Sequence, residues 1–237
     1  MKGIYDIHCH IVPGVDDGAK DLKTSVRMLQ KEYDDGVRNI IATPHFRYDM
    51  FEPSLEQVKK QFLRVRKAAA EIGEDGIQMY LGCELHSSMD KGERLTMSGS
   101  RYVLTEFRTS DEKSYIRERV QALIRKGYYP IIAHVERYHS VVKNGLDFID
   151  ELRDMGAYIQ MNADSIIGED GFMIKRFCKK VIKEEMLDFV GSDGHDLARR
   201  TPHIGKCYDK IEKMMGTDYA DMIFISNPEC IINNERF

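Results

Sequence analysis

Short apolar runs alternate along the chain with longer amphipathic stretches, in which apolar residues recur at the spacing of one helix face. Seven of the apolar runs have the length of buried strands: 4–10, 39–45, 78–85, 102–107, 130–135, 157–162 and 187–192. The amphipathic stretches predict helices at 25–35, 54–72, 114–125, 146–155, 171–185 and 204–215. Strands separated by helices pair in parallel through right-handed crossovers, so the pattern predicts an α/β fold.

Glycines stand where four of the predicted helices end, at Gly36, Gly73, Gly127 and Gly156, as C-terminal cap residues do. About seven strand–helix units suit a closed or nearly closed α/β barrel of the TIM type. A doubly wound open sheet is the alternative, although no G-x-G-x-x-G motif follows the first strand. No linker, repeat or low-complexity segment interrupts the pattern, so we expect residues 1–237 to form a single domain.

Composition and charge exclude several classes of protein. Charged residues make up 31% of the chain, both signs are mixed, and the net charge is −4, so nothing indicates nucleic-acid binding. Residues 1–6 contain no apolar core of a signal peptide, and no apolar run approaches the roughly 18 residues that a membrane span needs. Five cysteines without a C-x-x-C pair argue against disulfides and thiolate zinc sites. We therefore expect a cytoplasmic protein without membrane insertion.

Polar residues end nearly every predicted strand, where a buried strand should avoid them. In parallel barrels, the carboxyl ends of the strands meet on one face and carry the active site. Residues that are scattered in sequence should therefore become neighbours in space. The candidates are His8, His10, His45, Glu84, Glu106, His134, Glu136, Arg137, Asp193 and His195.

Two of these strand ends carry pairs of polar residues at the i, i+2 spacing. His8 and His10 lie on one face of a strand while Cys9 lies on the other, and Asp193 and His195 repeat the arrangement. Such pairs can chelate one cation, and imidazole with carboxylate suits zinc, manganese or iron. The turn after the first strand, at residues 13–18, holds two more carboxylates, Asp16 and Asp17. Asp17 could fold back over the histidines of that strand.

A single strand histidine is more often a hydrogen-bonded core residue than a metal ligand. The whole set is harder to explain in that way, because burying so many ionisable groups unpaired would cost several kcal/mol each. We therefore expect a multinuclear metal site.

The C-x5-R spacing from Cys230 to Arg236 matches cysteine-dependent phosphatases, but it has no glycine and ends one residue before the C-terminus. We do not expect cysteine chemistry.

Several motifs together resemble the PHP (polymerase and histidinol phosphatase) superfamily, over essentially the whole chain. They are Asp6-Ile7-His8-Cys9-His10, Pro13-Gly14-Val15-Asp16-Asp17-Gly18, Thr43-Pro44-His45, Glu84, His134-Val135-Glu136-Arg137 and Ser192-Asp193-Gly194-His195. More narrowly, the chain resembles the bacterial protein-tyrosine phosphatases of the CpsB/YwqE type. This resemblance implies a distorted (β/α)7 barrel with three divalent metal ions, often manganese, with iron or zinc as alternatives.

The resemblance also implies roles for individual residues. His8, His10, Glu84 and Asp193 would bind one metal ion, and Glu84 would bridge to a second ion that His45 and His134 also hold. Asp17 and His195 would hold the third ion. Arg137 and Arg200 would grip the phosphoryl group, although the adjacent Arg199 competes with Arg200 for that role. Glu106 would be a base or a supporting acid.

The function implied is hydrolysis of phosphotyrosine, on the tail of a bacterial tyrosine autokinase that controls capsular or exopolysaccharide synthesis. Two alternatives stay open: a small-molecule phosphatase of the same superfamily, such as a histidinol phosphatase, and a non-catalytic, metal-stabilised protein that binds the kinase. Residues 46–53 follow the second strand and predict a rim loop that stacks on the substrate ring, or equally one that packs on its own domain.

Overall fold

The computed structural model describes residues 3–89 and 95–237. Its strands all pair in parallel, which confirms the predicted α/β class. The strands are β1 (Ile4–Cys9), β2 (Val37–Ala42), β3 (His45–Phe46), β4 (Gln78–Leu81), β5 (Glu84–His86), β6 (Tyr102–Glu106), β7 (Tyr129–Ile132), β8 (Tyr158–Asn162) and β9 (Phe189–Gly191).

Helices connect most of the strands; six of them lie close to the predicted positions, and four short ones were not predicted. They are α1 (Leu22–Asp34), α2 (Leu55–Ala69), α3 (Lys113–Arg125), α4 (His139–Asn144), α5 (Leu146–Asp154), α6 (Ala163–Ile167), α7 (Phe172–Lys183), α8 (Ile204–Met215), α9 (Thr217–Asp221) and α10 (Asn227–Asn233). Asp21 and Ser54 cap the amino ends of α1 and α2 with side-chain hydrogen bonds. In the described residues, no helix is long and apolar enough to cross a bilayer.

The strands form two parallel sheets, with orders β1-β2-β4 and β3-β5-β6-β7-β8-β9. The second and third predicted strands are each broken in two, at residues 43–44 and 82–83. Hydrogen bonds continue across the break: Gly82 N donates to Ala42 O at 2.8 Å, and Glu84 N donates to Pro44 O at 3.1 Å. The break turns His45 and Glu84 into the first residues of new short strands, paired side by side.

Residues that follow β9 pair with β1. Asp193 N donates to His8 O at 2.7 Å, His10 N donates to Gly194 O at 2.9 Å, and Cys9 forms a parallel bridge with Gly194. The two chain segments that carry i, i+2 pairs of candidate residues therefore lie side by side. This neighbourhood is what allows His8, His10 and Asp193 to share one small volume.

The apolar core consists of a large cluster and two smaller ones. The large cluster packs helix residues such as Met28, Phe148 and Val181 against one side of the strands. Another cluster contains strand residues from β1, β2 and β6 to β9, among them Tyr5 and Ile7. Cys9 belongs to the large cluster, apart from the side chains of His8 and His10, as the i, i+2 spacing of these histidines predicts. The change of cluster between Ile7 and Cys9 coincides with a register shift in the pairing of β1 with β2.

The C-terminal segment covers the second cluster. The Tyr102 hydroxyl donates to Glu235 O at 2.8 Å, and the Tyr158 hydroxyl donates to Phe237 O at 3.4 Å. The Phe237 ring lies 4.8 Å from the Tyr158 ring and 5.7 Å from the Phe189 ring, between centroids. Aromatic side chains and the chain end thus cover the strands at their amino ends, opposite to the candidate residues.

A buried pair of carboxyl groups joins β1 to α1. Asp6 and Glu32 are both fully buried, and their oxygens lie within 4.8 Å of each other. Asp6 accepts hydrogen bonds from His8 N, Ser192 N and the Ser192 hydroxyl, whereas neither Glu32 oxygen has another partner. Burial, together with the nearby charge of Asp6, holds the pKa of Glu32 well above its usual range. We infer that Glu32 keeps its proton at neutral pH, with the Asp6 carboxylate close enough to accept a hydrogen bond from it after a small side-chain shift.

We expect Glu32→Gln to stabilise the protein at neutral pH, because an amide donates to Asp6 without having to retain a proton. A carboxyl whose folded pKa is raised contributes stability below its unfolded pKa of about 4.3 and loses it as pH rises toward the folded value. The variant should gain about 1–3 kcal/mol in free energy of unfolding at pH 7.5 and little at pH 4.5, measured by urea denaturation. Glu118→Gln, at an exposed position of α3, is the control. A loss of stability at both pH values in Glu32→Gln contradicts the shared proton.

Candidate metal centre and active site

The carboxylate of Glu84 lies at the centre of the predicted cluster. Its Oε2 atom is 3.2 Å from His8 Nε2, 3.2 Å from His10 Nε2 and 2.9 Å from His45 Nδ1. Its Oε1 atom is 2.8 Å from His134 Nε2. Four imidazoles from three different chain segments therefore surround one fully buried carboxylate. The structure brings these five predicted residues together.

A first group of donor atoms combines His8, His10, Glu84 and Asp193, all of them buried. Asp193 Oδ1 is 3.5 Å from His8 Nε2 and 3.3 Å from His10 Nε2. The two Nε2 atoms are themselves 3.2 Å apart. Two imidazole nitrogens and two carboxylate oxygens around one point match the donor set that divalent transition metals prefer.

A second group lies nearer to solvent and combines His10, Asp17, His45 and His195. Asp17 Oδ1 is 3.4 Å from His195 Nε2 and 3.6 Å from His45 Nε2. The Asp17 side chain is 49% exposed, so this group faces the opening of the site. Asp17 does fold back over the histidines of the first strand, as the turn sequence suggested.

A third group of donor atoms combines His45, Glu84 and Glu106. Glu106 Oε1 is 3.4 Å from His45 Nδ1, and His134 Nε2 approaches the same carboxylate of Glu84 from another side. Glu106 thus lies among the predicted metal-binding residues themselves. Sequence reasoning gave Glu106 only the role of a base or a supporting acid.

Each buried imidazole is oriented by a partner on its other ring nitrogen. His10 Nδ1 is 2.9 Å from Asp16 Oδ2, and His8 Nδ1 is 3.3 Å from Gln160 Oε1. His134 Nδ1 is 3.2 Å from the Tyr138 hydroxyl, and His195 Nδ1 is 2.8 Å from the Asp193 carbonyl. Each of these contacts leaves Nε2 aimed at the centre, as in metal sites where a partner fixes the tautomer.

Sequence reasoning missed three of these orienting residues. Asp16 was noticed only as one of two carboxylates in a turn, yet it also accepts a hydrogen bond from His45 N at 2.9 Å. Gln160 accepts from His134 N at 2.7 Å, in addition to its contact with His8. Tyr138 donates to Ala133 O at 2.8 Å. A polar residue inside the predicted strand 157–162 was the one signal that could have identified Gln160.

The charges in the site determine the protonation of its members. Burial opposes ionisation of Glu84 and Asp193, but the surrounding imidazoles, His8 first, hold both carboxyl pKa values well below their usual range. Burial would lower the pKa of His45, yet the charge of Glu84 raises it to about 10. Burial and the charge of His10 lower the pKa of His195 to about 4. The carboxylates are therefore ionised and demand nearby positive charge.

The residues fit a group of cations. Several buried donor atoms that face the shared volume lack any hydrogen-bond partner in the part of the chain that the structure describes: His45 Nδ1, Glu84 Oε2, Glu106 Oε1, Asp193 Oδ1 and His195 Nε2. Buried polar atoms are rarely left unsatisfied. Divalent cations would satisfy these atoms together and would balance the ionised carboxylates.

Backbone strain and close packing occur at the same strand ends. His134 and Asp193 have φ angles of +34° and +52°, a left-handed conformation that residues other than glycine rarely adopt. Gly191 packs so closely on β1 that an added Cβ would lie 2.4 Å from His8 Cβ. Strain of this kind is tolerated where the surrounding structure fixes it, commonly at functional sites.

Two arginines flank the deepest group of donor atoms. Arg137 Nη1 is 2.7 Å and Arg200 Nη2 is 2.6 Å from Asp193 Oδ2, and both side chains line the cavity at the opening. The neighbouring Arg199 is exposed and does not line that cavity. Its backbone N donates to Asp196 Oδ1 at 2.7 Å, within a turn that directs Arg200 inward. The geometry therefore favours Arg200 over Arg199.

The cavity above the donor atoms has a volume of about 420 Å³. Its wall includes Arg47, Met50 and Phe51 from the predicted rim loop and Arg108 from the loop after β6. The Phe51 ring stacks on His45, with centroids 5.3 Å apart and planes 11° apart. Part of the loop therefore packs on its own domain, while Met50 and Tyr48 remain more than half exposed. Packing on the protein's own domain is therefore confirmed for part of the loop, and stacking on the substrate ring stays a prediction.

The cysteines take no part in this site. Cys9 Sγ contacts Gly194 O at 3.8 Å on the far side of β1, and Cys83 is buried in a small apolar cluster. Cys230 lies inside α10, where burial raises the pKa of its thiol. A helix interior cannot form the phosphate-binding loop that C-x5-R chemistry requires.

We expect Asp16→Ala to weaken divalent cation binding while leaving the fold intact, because it removes the acceptor that fixes His10 and the backbone of His45. Loss of such an orienting partner typically costs about 10–100-fold in metal affinity. Competition with a chromogenic chelator measures the affinity, and circular dichroism checks the fold. The matched control is Asp75→Ala, which removes a carboxylate paired with Arg38 outside the site. Equal metal affinities in the two variants would exclude the orienting role of Asp16.

Comparison with known proteins places this site in a family context. The family model described as capsular polysaccharide synthesis, CpsB/CapC, matches residues 4–233. The tyrosine-protein phosphatase CpsB of Streptococcus pneumoniae is 35% identical over 243 residues, covering 98% of this chain and 99% of that protein. The tyrosine-protein phosphatase YwqE of Bacillus subtilis (strain 168) is 30% identical over 239 residues, covering 98% and 92%. These matches confirm the resemblance to the CpsB/YwqE type.

The fold matches a solved structure over its full length. In a crystallographic study of YwqE from Bacillus subtilis and CpsB from Streptococcus pneumoniae, the matching chain superimposes with a TM-score of 0.88 at 27% identity. The alignment covers 99% of this chain and 96% of that chain. The study describes those two proteins as unique metal-dependent tyrosine phosphatases.

Proposed function

The chain belongs to the CpsB/CapC family of capsular polysaccharide synthesis, and from this premise we propose that it is a metal-dependent protein-tyrosine phosphatase. The observation that carries the proposal is the convergence of His8, His10, His45, Glu84 and Asp193 on one buried volume, with their donor atoms facing each other. An arrangement of this kind has no use in a protein that only binds a partner. A phosphomonoester dianion fits an opening lined by arginines above a cationic centre.

We propose that three divalent cations, manganese foremost and iron or zinc as alternatives, occupy the three groups of donor atoms. His8, His10, Glu84 and Asp193 would hold one of them. Glu84 would be shared with a second, held also by His45 and His134, and the position of Glu106 makes it a further donor there. Asp17 and His195 would hold the third. Mixed imidazole and carboxylate donors without thiolate support this choice of metals.

When bound, divalent cations would supply an activated water nucleophile near neutral pH and polarise the phosphoryl group. The chain's own groups bind and orient the substrate. Arg137 and Arg200 reach the opening from the loops after β7 and β9 and present paired N–H donors to the equatorial phosphoryl oxygens. Their contact with Asp193 Oδ2 fixes both guanidinium groups before substrate arrives. No cysteine is needed and no phosphoenzyme forms.

The cavity walls suit an aromatic phosphoester. Phe51, Met50 and Phe107 supply apolar surface, and Arg47 and Arg108 supply positive charge at the rim. A phenolate is a good leaving group, so tyrosine phosphate needs little help from a general acid. We propose that the substrate is the phosphorylated tail of a tyrosine autokinase in the cytoplasm that controls capsular or exopolysaccharide synthesis.

We further propose that residues 1–237 act as one domain, in which the two sheets join into a distorted (β/α)7 barrel. The pairing of Cys9 with Gly194, and the hydrogen bonds that continue across the breaks in two strands, support such a closure. When β2 with β3 and β4 with β5 are each counted as one broken strand, the proposed metal-binding residues lie near the carboxyl ends of the strands or in the loops that follow, as in other α/β barrels.

The metal-loaded enzyme should hydrolyse a phosphotyrosyl peptide with a kcat/KM orders of magnitude above that for histidinol phosphate. The reason is that Met50, Phe51 and Phe107 offer an aromatic ring apolar surface in an open cavity, and arginines at its rim disfavour a cationic substrate. Chelation should abolish turnover, and Mn²⁺ should restore it, as shown by phosphate release and elemental analysis. Cys230→Ser should keep full activity and serves as a control. The opposite substrate ranking would favour the small-molecule phosphatase. An inert protein with full metal occupancy would favour the binding protein.

Arg137→Ala and Arg200→Ala should each lower kcat by about 10²–10³, the usual cost of losing one donor to the transition state. Arg199→Ala, the matched control one residue away, should stay within about twofold of the parent enzyme, since its side chain points to solvent. Metal content is measured on the same samples. Unchanged metal content with lower kcat means that the phosphoryl group has lost its donor, whereas lower metal content means that the cation proposed beside Asp193 has been lost. Comparable losses in Arg199→Ala and Arg200→Ala would contradict the assignment.

A further inference from the structure

Helix α7 has an unusual distribution of charge in a chain whose net charge is −4. Its twelve residues contain no acidic side chain and five basic ones, all of them exposed. The basic residues are Lys175, Arg176, Lys179, Lys180 and Lys183. The opposite side of the helix buries Phe177, Cys178, Val181 and Ile182 in the core. The outward face of α7 is therefore a cationic surface on a firmly anchored helix.

Two large apolar side chains stand at the amino end of this face. Phe172 is 74% exposed and Met173 is 72% exposed, more than any other large apolar side chain in the described residues. Phe172, Arg176, Lys179 and Lys183 follow the i, i+4, i+7, i+11 spacing, which places them in one row along the helix. One row therefore combines an exposed aromatic ring with three cations.

The cations of α7 are not neutralised by the protein. In the parts of the chain that the structure describes, none of the five forms an ion pair. Lys210 and Lys213 of α8 extend the same surface around a cavity of about 250 Å³ with an apolar floor. Acidic residues flank the helix ends rather than its face: Asp170, which accepts a hydrogen bond from the Ser165 hydroxyl, precedes it, and Glu184 and Glu185 follow it.

The amino end of α7 lies at the same edge of the molecule as the metal centre. Strand β8 ends at Asn162, whose side-chain Nδ2 donates to Asp193 Oδ2 at 2.9 Å. The chain then turns through the short helix α6 and begins α7 at Phe172, before returning to the start of β9. Tyr48 and Met50, also exposed, follow β3 at this edge. The apolar end of α7 and the opening of the site therefore lie at the same edge of the protein.

We propose that α7 docks the protein on an anionic lipid bilayer, with Phe172 and Met173 inserted at the headgroup level and the cations of the helix above lipid phosphates. Charge complementarity and the exposed apolar end support this partner, because basic residues next to exposed aromatic and apolar ones are typical of membrane-surface helices. The cations from Lys175 to Lys183 are spread along about 12 Å of helix, with the exposed apolar side chains at one end, which suits a layer of laterally mobile headgroups. Docking would direct the active site toward phosphotyrosine near the membrane.

Co-sedimentation of the metal-loaded full chain with vesicles tests the proposal. Vesicles of phosphatidylcholine with about 30% phosphatidylglycerol should bind the protein, and pure phosphatidylcholine vesicles should not. Reversing three cations of α7 (Arg176→Glu, Lys179→Glu and Lys183→Glu) should lower the affinity by at least about tenfold. Hydrolysis of a soluble phosphotyrosyl peptide should stay unchanged in this variant, since α7 contributes nothing to the metal centre. Equal sedimentation with both kinds of vesicle overturns the proposal.

Helix α2 offers a matched control for overall charge. It carries five basic residues, one acidic residue and one exposed apolar side chain, Leu63, at 52% exposure. Reversing three of its cations (Lys59→Glu, Lys60→Glu and Arg64→Glu) changes the net charge by the same amount. This variant should bind vesicles like the parent. An equal loss of binding in both variants means that total charge governs adsorption, which overturns the assignment to α7.

Insertion of the apolar end can be observed directly, because the chain contains no tryptophan. Phe172→Trp should show a blue shift and a rise in fluorescence when anionic vesicles are added, whereas Leu63→Trp on α2 should show neither. Unchanged fluorescence of the Phe172→Trp variant, while the protein still sediments with the vesicles, would overturn the predicted insertion.

If vesicles fail to bind but reversing the α7 cations raises KM for an acidic phosphotyrosyl peptide, the face docks a protein and the membrane proposal is wrong. Failure of vesicle binding with normal peptide turnover overturns the docking proposal and leaves the phosphatase assignment intact.

Discussion

The free-energy cost of burying many ionisable groups in one small volume is the constraint on which the rest of the structure depends. Glu84 is fully buried and meets four imidazoles within 3.2 Å, and Asp193 meets two imidazoles and two arginines. Ionised carboxylates in such a place are tolerable only next to matching positive charge. The rest of the molecule serves to hold these groups at fixed positions, through orienting contacts on the outer ring nitrogens, strained backbone at two strand ends and the close packing of Gly191 on β1.

The sequence predicted the parallel fold and the convergence of the candidate residues because both follow from simple periodicities. Alternation of apolar runs with amphipathic stretches predicted parallel strands with their carboxyl ends on one edge, and the polar residues stood at those ends. The i, i+2 spacing of His8 and His10 also predicted that Cys9 would face the opposite side. These features depend only on local sequence, so they can be read before the chain is folded.

Other features depend on contacts that no local pattern reveals. Asp16 and Asp17 are identical neighbours in a turn, and only the folded chain shows that one orients His10 while the other faces the opening. Gln160 and Tyr138 are ordinary residues until the strands pair and bring them to His8 and His134. Arg199 is exposed whereas Arg200 lines the cavity, because the carboxylate of Asp196 accepts hydrogen bonds from the backbone of residues 198–200 and fixes the turn there. The buried Glu32 lies on a helix face, and its partner is 26 residues away in sequence.

The cover that the C-terminal segment forms over the aromatic cluster has a consequence for ion exchange. Tyr102, Tyr158 and Phe237 pack at the amino ends of the strands, whereas Asp17 and His45 line the cavity at the other end. If the proposed cations bind, one held by these outer donors would lie between the cavity and the fully buried donors. Inner positions would then fill before the outer one and empty after it, so occupancy of the outer position would slow exchange of the inner ions.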